Sequence, residues 1–344
     1  MSQLKSFEHL VQSLPVEIWE RHFQVGRLQQ LEWLFREERK FTFLARLRVV
    51  GNLETKVVYL KQYKVAGRSE KEFLERMEMH YRTAKFWDGV FPKGSPHRVI
   101  SVKYFDGEKG LFISEEAPGV PFNQLVNRCA LRGQKRESVQ KLLKAAENIG
   151  GWVREKNEKT LQEGELLSDE KVLDYVDVRL KILTGELFRG IPVDWRGKIL
   201  RYLESKLKSV PVEERILTIS HGDLNPSNIL VDGDIVTAFD YARPVPDSYL
   251  LDLSKLYHQI GLWAVKPQYS PGVLQQTQQA LLRGFGRPEI ESFEIFQILF
   301  LLHTVNHFVT LTNFEKYSLP EKLYNKWVLR YERKLLEKKD GLVL

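Results

Sequence analysis

Hydrophobic residues alternate with polar ones in the first third of the chain and recur at three- and four-residue steps through most of the rest. Leu31-Glu32-Trp33-Leu34-Phe35 and the run from Lys40 to Leu47 predict two antiparallel strands joined by Arg36-Glu37-Glu38-Arg39. Val57 to Tyr63 is a third β-rich run, whose two-residue period sets Tyr59, Lys61 and Tyr63 on one face. Phe73, Leu74, Met77, Tyr81 and Ala84 then recur at helical spacing, with Ser69 as a cap and acidic residues in the first turn. Leu111-Phe112-Ile113 predicts a strand that stops at Pro118-Gly119. Downstream, periodicity predicts helices over 137–157, 169–187, 194–207, 250–263, 275–285 and 293–311, and a last amphipathic helix over 320–339. Ahead of the sheet, Phe7, Leu10, Val11, Leu14, Val16 and Trp19 predict a short helical extension over residues 1–24 that packs on the small lobe.

This order, strands plus one helix and then mostly helices, predicts an α+β chain of two lobes. The second lobe carries one further cluster of short strands. Ile216–Ile219 leads into His221-Gly222-Asp223-Leu224-Asn225-Pro226-Ser227-Asn228, Ile229-Leu230-Val231 leads out, Asp232-Gly233 turns, and 235–239 runs up to Asp240. Kinase-type phosphoryl transfer needs one carboxylate to orient the attacking hydroxyl and accept its proton, and two more oxygen ligands for magnesium. Asp223, Asn228 and Asp240 supply those groups in that order. A single Asp-x-x-x-x-Asn is as often a local turn motif; several independent positions at the right spacing argue for chemistry.

HGDLNPSNIL, then AFDYA, then LLDLSKL resemble the signature of the aminoglycoside phosphotransferase and choline kinase superfamily, a branch with the protein-kinase-like bilobal fold. The resemblance implies Asp223 as catalytic base, Asn228 and Asp240 as magnesium ligands, His221 as a residue that orients the loop, and Asp252 as its brace. It implies ATP and Mg2+ as cofactors, and an enzyme that phosphorylates a hydroxyl. It further implies an N-terminal nucleotide-binding lobe over 1–114, a hinge over 115–119 and a catalytic and acceptor-binding lobe over 120–344. In the first lobe, Lys61 would meet the ATP phosphates, Tyr59 would lie against the adenine, and Glu78, in the predicted helix, would pair with Lys61. The Glu115 carbonyl and the Ala117 amide would pair with the adenine edge. Read alone, Lys61 is an ordinary strand lysine and Glu78 a solvated helix charge; the downstream motif is what gives them roles. Lys64 is a reserve on the opposite face, and Arg36, Arg39 and Lys40 are further candidates for phosphate contacts.

Protein kinases carry Arg where this chain has Gly222, and a long segment closed by Ala-Pro-Glu. Only eleven residues, Tyr241 to Leu251, separate Asp240 from Asp252. That leaves no room for a peptide-docking platform, so the expected acceptor is a small hydroxylated molecule or a glycan, such as a cell-envelope sugar. A pseudokinase scaffold and a protein kinase are the competing readings. Two decoys are set aside. His303 and His307 have the spacing of a zinc pair, but Thr304 stands where a zinc protease has Glu. Gly190 to Lys198 mimics a P-loop with the wrong spacing and no Ser or Thr after the lysine.

A chain of 344 residues can bury two cores, and 43% hydrophobic with 28% charged residues is an ordinary globular balance. The single Cys129 excludes an internal disulfide and suits a reducing, cytoplasmic setting. Glu8, His9, Glu17 and Glu20 argue against a signal peptide, and polar residues interrupt the apolar run 293–308, so no transmembrane segment is expected. The net charge of +7 favours an acceptor that is not cationic. It also permits peripheral membrane contact through the helix that holds Arg330, Arg333, Lys334, Lys338 and Lys339. The basic residues are interleaved with acids and match no nucleic-acid module, so no nucleic-acid partner is expected.

Overall fold

A computed structural model describes residues 3–65, 67–185, 191–311, 318–337 and 342, and the chain divides into two units. The first comprises residues 1–119 together with 237–243, and the second 120–236 together with 244–344. The first unit begins with α1 (Gln3–Gln12) and α2 (Val16–Phe23), then β1 (Leu28–Glu38), β2 (Thr42–Gly51), β3 (Thr55–Tyr63) and α3 (Glu70–Asp88). It continues with β4 (His97–Val99), β5 (Val102–Asp106) and β6 (Leu111–Glu115). β1-β2-β3-β6-β5 form one antiparallel sheet.

Strand alternation divides the sheet's two faces. Ala45, Leu47, Val49, Val58 and Leu60 turn one way and pack against Phe7, Val11, Trp19 and Phe23 of the N-terminal helices. Phe7 stacks on Phe43 at 5.4 Å between ring centroids. Phe112 and Tyr63 turn the other way, toward Phe73 and Met77 of α3. The predicted helical extension is therefore the cover of one sheet face, which leaves the Lys61 face to α3. Ser69 caps α3 in a reciprocal box with Glu72: the Glu72 amide donates to the Ser69 hydroxyl at 3.3 Å, and the Ser69 amide to the Glu72 carboxylate at 2.9 Å.

β1 and β2 run further than the hydrophobic pattern implies. Arg36, expected in the connection, lies in β1 opposite Ala45, and the chain turns after Arg39. The charged residues at this end of β1 are matched by ion pairs: Arg36 with Glu8, Glu37 with Arg39, and Glu38 with Lys64.

The second unit contains β7 (Val120–Pro121), α4 (Phe122–Cys129), α5 (Arg136–Lys159), β8 (Leu161–Leu166), α6 (Asp169–Thr184) and α7 (Val193–Ser209). β9 (Ile216–Ile219), β10 (Ile229–Asp232), β11 (Ile235–Ala238) and β12 (Pro246–Ser248) follow, β11 carrying the chain from the second unit into the first. α8 (Leu251–Leu262), α9 (Pro271–Phe285), α10 (Glu294–Leu311) and α11 (Leu319–Glu337) complete it. Residues 186–187 of the expected 169–187 helix, Gly190 of the P-loop decoy, and Lys338 and Lys339 lie outside the described residues. α10 is long and apolar enough to cross a membrane, yet Phe296, Leu299, Leu301, Leu302 and Val305 are buried within the unit. α5 and α9 cross at Gly150 and Gly284, where an added Cβ would collide with the Leu281 and Glu147 carbonyls. Only glycine allows that approach.

Candidate active site

The loop between β9 and β10 is fixed from behind. β9 pairs with β12, Leu217 opposite Ser248 and Ile219 opposite Pro246, so the chain returns to β9 just before α8 begins. Asp252 therefore falls in the first turn of α8, beneath the loop. Its carboxylate accepts from the His221 amide at 2.8 Å and the Gly222 amide at 3.3 Å. The Lys156 ammonium on α5 donates to it at 2.9 Å and to the Ile219 carbonyl at 3.1 Å. Both side chains of this pair are 1% exposed. Burial opposes the Asp252 charge, but Lys156, His221 and the His221 amide outweigh it and hold the carboxyl below its usual range. Gly222 adopts φ +78°, a conformation costly for the Arg of protein kinases at this position and easy for glycine.

The brace presents Asp223 outward, its side chain 53% exposed. The Asn228 amide donates to the Asp223 backbone carbonyl at 3.0 Å and to its carboxylate at 3.3 Å. Lys255, one turn after Asp252 on α8, donates to the other carboxylate oxygen at 2.8 Å. Asn225 caps the short turn between them by accepting from the Ser227 amide at 3.0 Å. Asp223, Asn228, His221 and Asp252 thus lie together in one unit.

Asp240 belongs by its contacts to the first unit, with Lys61. The Lys61 ammonium donates to the Asp240 carboxylate at 2.8 Å and sits 5.1 Å from the centre of the Tyr63 ring. Asp240 has φ +65°, one of two described non-glycine residues in the left-handed region. The next residue anchors it: the buried Tyr241 hydroxyl donates to the Ala238 and Ile100 carbonyls at 3.0 and 3.2 Å, and its ring stacks on Trp87.

The expected Lys61–Glu78 ion pair is not formed. Glu78 pairs with Arg82 one turn along α3, at 2.8 Å, and Asp240 takes its place beside Lys61. Toward α3, Lys61 meets an aromatic step, Tyr63 stacked on His80 at 4.8 Å. Burial, with the nearby charges of Arg76 and Lys61, lowers the His80 pKa to about 4, so this neighbour is neutral. The helical register explains the change: the α3 residue on the Tyr63 side is His80, while Glu78 faces outward.

Tyr59 pairs with Ser114, and the Arg46–Glu116 ion pair lies near its hydroxyl. Glu115 ends β6 opposite Val58, and the Glu116 amide donates to the Val57 carbonyl at 2.9 Å. Alternation then turns the Glu115 carbonyl and Ala117 amide away from β3.

In the second unit a cavity of about 360 Å³ adjoins the Asp223 loop, bounded by Asn225, Ser227, Asn123, Gln259, Trp263 and Lys266, with Tyr324 on α11. Asn123 Oδ1 and Gln259 Oε1 are buried there without hydrogen-bond partners among the described residues. None of the described residues lining this cavity is acidic.

Lys156, Lys255 as the partner of Asp223, and Tyr241 were not evident in the sequence. Lys156 did leave a signal, because it continues the apolar stripe Ala145, Ile149 and Trp152 of α5, where a solvated lysine has no place. The buried histidines give a pH test. Burial lowers His221 to about 4 and His303 to about 3, both below the ordinary value near 6.5 in the unfolded chain. Between those values the unfolded chain binds more protons, so stability falls as pH drops through that window. Urea unfolding at pH 7 and pH 5 should differ by about 3–4 kcal/mol from these two groups. A flat profile would show that neither histidine is held neutral.

No family model and no curated protein matches this sequence. Solved structures do match it over nearly its whole length. A Ralstonia eutropha protein provisionally described as an aminoglycoside phosphotransferase shares 12% identity at a TM-score of 0.56, covering 92% of this chain and 97% of that one. An ADP-bound aminoglycoside phosphotransferase shares 11% identity at 0.51, over 92% and 97%. An amicoumacin kinase in complex with AMP-PNP and Ca2+ shares 15% identity at 0.51, over 87% and 88%. The bilobal, kinase-like α+β fold expected from the sequence is thereby established.

Proposed function

We propose that this chain is an ATP- and magnesium-dependent phosphotransferase that moves the γ-phosphoryl group to a hydroxyl of a small molecule or glycan in the cytoplasm. The observation that carries the reading is Asp223: an exposed carboxylate on a loop whose amides are locked by the buried Asp252–Lys156 pair. Kinase-type transfer depends on positioning and electrostatics rather than covalent chemistry. Asp223 orients the acceptor hydroxyl and takes its proton. Lys255 balances its charge on one side, and Asn228 restrains it on the other. Lys61 meets the nucleotide phosphates and Tyr59 the adenine, with Glu115 and Ala117 at its edge.

Asn228 and Asp240 would hold the metal. The fit rests on the donor set, an amide oxygen and a carboxylate, hard oxygens of the kind Mg2+ prefers. The ion would neutralise charge on the phosphates. The ADP- and AMP-PNP-bound structural neighbours support nucleotide use.

The cavity beside the loop supports a neutral or anionic polyhydroxylated acceptor. It offers the buried acceptors Asn123 and Gln259 for hydroxyl donors, the Trp263 ring for a sugar face, Lys266 for an anion, and, among the described residues, no carboxylate for an ammonium.

The test is thermal unfolding with and without MgATP and MgGTP, for the natural chain and Asp240→Asn. A ligand bound only to the folded state raises the melting temperature. A magnesium-dependent rise that Asp240→Asn removes is expected, and would direct a screen of sugars and glycans against aminoglycosides. No rise with either nucleotide would point to a scaffold that retains the kinase shape without its reaction.

A further inference from the structure

His258 on α8, His307 on α10 and Glu332 on α11 bring two imidazole nitrogens and a carboxylate oxygen within 4.8 Å of one another. Nε2 of His258 lies 3.1 Å, and Nδ1 of His307 2.8 Å, from the same oxygen, Oε1 of Glu332. Glu332 is completely buried, yet its other oxygen, Oε2, has no hydrogen-bond partner among the described residues. Two donors crowd one oxygen while its twin is left bare, at the cost of an unsatisfied charged group. A hydrogen-bonded staple alone does not resolve this. A cation among the three side chains would compensate the buried carboxylate charge.

We propose that His258, His307 and Glu332 form a divalent transition-metal site, suited to Zn2+, that ties α11 to α8 and α10. Two imidazoles and one carboxylate match the ligands of zinc, and suit Mg2+ or Ca2+ poorly because those cations take oxygen. Arms of about 2.0–2.1 Å in tetrahedral array set ligand atoms about 3.3–3.4 Å apart. The two nitrogen–oxygen separations here need to open by only a few tenths of an ångström. To ligate, each ring would carry its N–H on the other ring nitrogen, and the fourth position is left for water. His303 is not a ligand: its Nε2 is engaged by Ser254 at 3.0 Å and the Leu251 carbonyl at 3.2 Å. The site is separate from Asp223, Asn228 and Asp240, but α11 also supplies Tyr324 to the cavity beside the loop.

The full chain, stripped with EDTA and held in excess Mg2+, would be titrated with Zn2+ by calorimetry and with Co2+ by visible absorption. One equivalent of Zn2+, a raised melting temperature and the intense visible bands of tetrahedral Co2+ are expected. His307→Gln removes the most exposed of the three ligands. It should keep the far-ultraviolet dichroism of the parent and weaken Zn2+ binding more than about 100-fold, beyond what loss of an outer-shell partner costs. Glu332→Gln should do the same if it folds. Absence of Zn2+ binding, or binding that His307→Gln leaves intact, would overturn the proposal and leave the cluster a hydrogen-bonded staple. The readout is metal binding, so this site and the phosphotransfer reading can fail independently.

Discussion

Asp223→Asn is expected to lower phosphoryl transfer by about 10²–10⁴-fold, the usual contribution of a positioned general base, while leaving nucleotide affinity within about twofold. The amide keeps the shape of the carboxylate and its one oxygen can still receive the hydrogen bond of Lys255, but its NH2 group cannot accept from Asn228 and the side chain cannot take a proton. Stability should barely change. The Lys255–Asp223 pair is half-exposed on the Asp223 side, and such pairs contribute about 0–1 kcal/mol. The loss should therefore appear in kcat, with KM for nucleotide and the melting temperature nearly unchanged. A variant that retains full turnover would remove Asp223 from the reaction and, with it, the proposed mechanism.

Lys156→Met is expected to destabilise the second unit by about 3–5 kcal/mol, because the Asp252 carboxylate would stay buried with no opposite charge. Methionine fills much the same volume as the lysine stem, so the effect isolates charge from packing. The same change in an exposed pair would be near zero. Urea unfolding followed by tryptophan fluorescence gives the number. In the single mutant the amides of His221 and Gly222 still find Asp252, so residual activity below the transition should remain measurable. A loss under about 1 kcal/mol would mean that the brace is not a buried ion pair in solution.

The two results separate what the loop does from what holds it, and these were unequally visible in the sequence. Asp223, Asn228 and Asp240 could be read because their chemistry demands fixed residue types at short spacings along one stretch of chain. The sheet, α3 with its Ser69 cap, and the N-terminal helices could be read because strand and helix periods are local properties. Element ends were less legible. β1 and β2 extend through charged residues whose partners lie outside their own strand: Arg36 and Glu38 of β1 pair with Glu8 and Lys64, and Arg48 of β2 pairs with Glu32.

Longer-range pairings were a different matter. Glu78 was the expected partner of Lys61, yet helical register gives it to Arg82, and Asp240, 179 residues from Lys61, fills the place. The brace joins Lys156 to Asp252 across 96 residues. Lys255 was visible only as one more positive charge until α8 placed it on Asp223. His303 and His307, set aside as a zinc pair because Thr304 stands where a zinc protease has Glu, go to different partners, and His307 gains His258 and Glu332 as neighbours. The elements, and the groups proposed to react, were legible in the chain because periodicity and motif chemistry are written in neighbouring residues. Which charge meets which emerged from the fold, because a burial partner is chosen by packing between elements far apart in the chain, and in a low-dielectric interior that choice is enforced by the cost of leaving a charge unmatched.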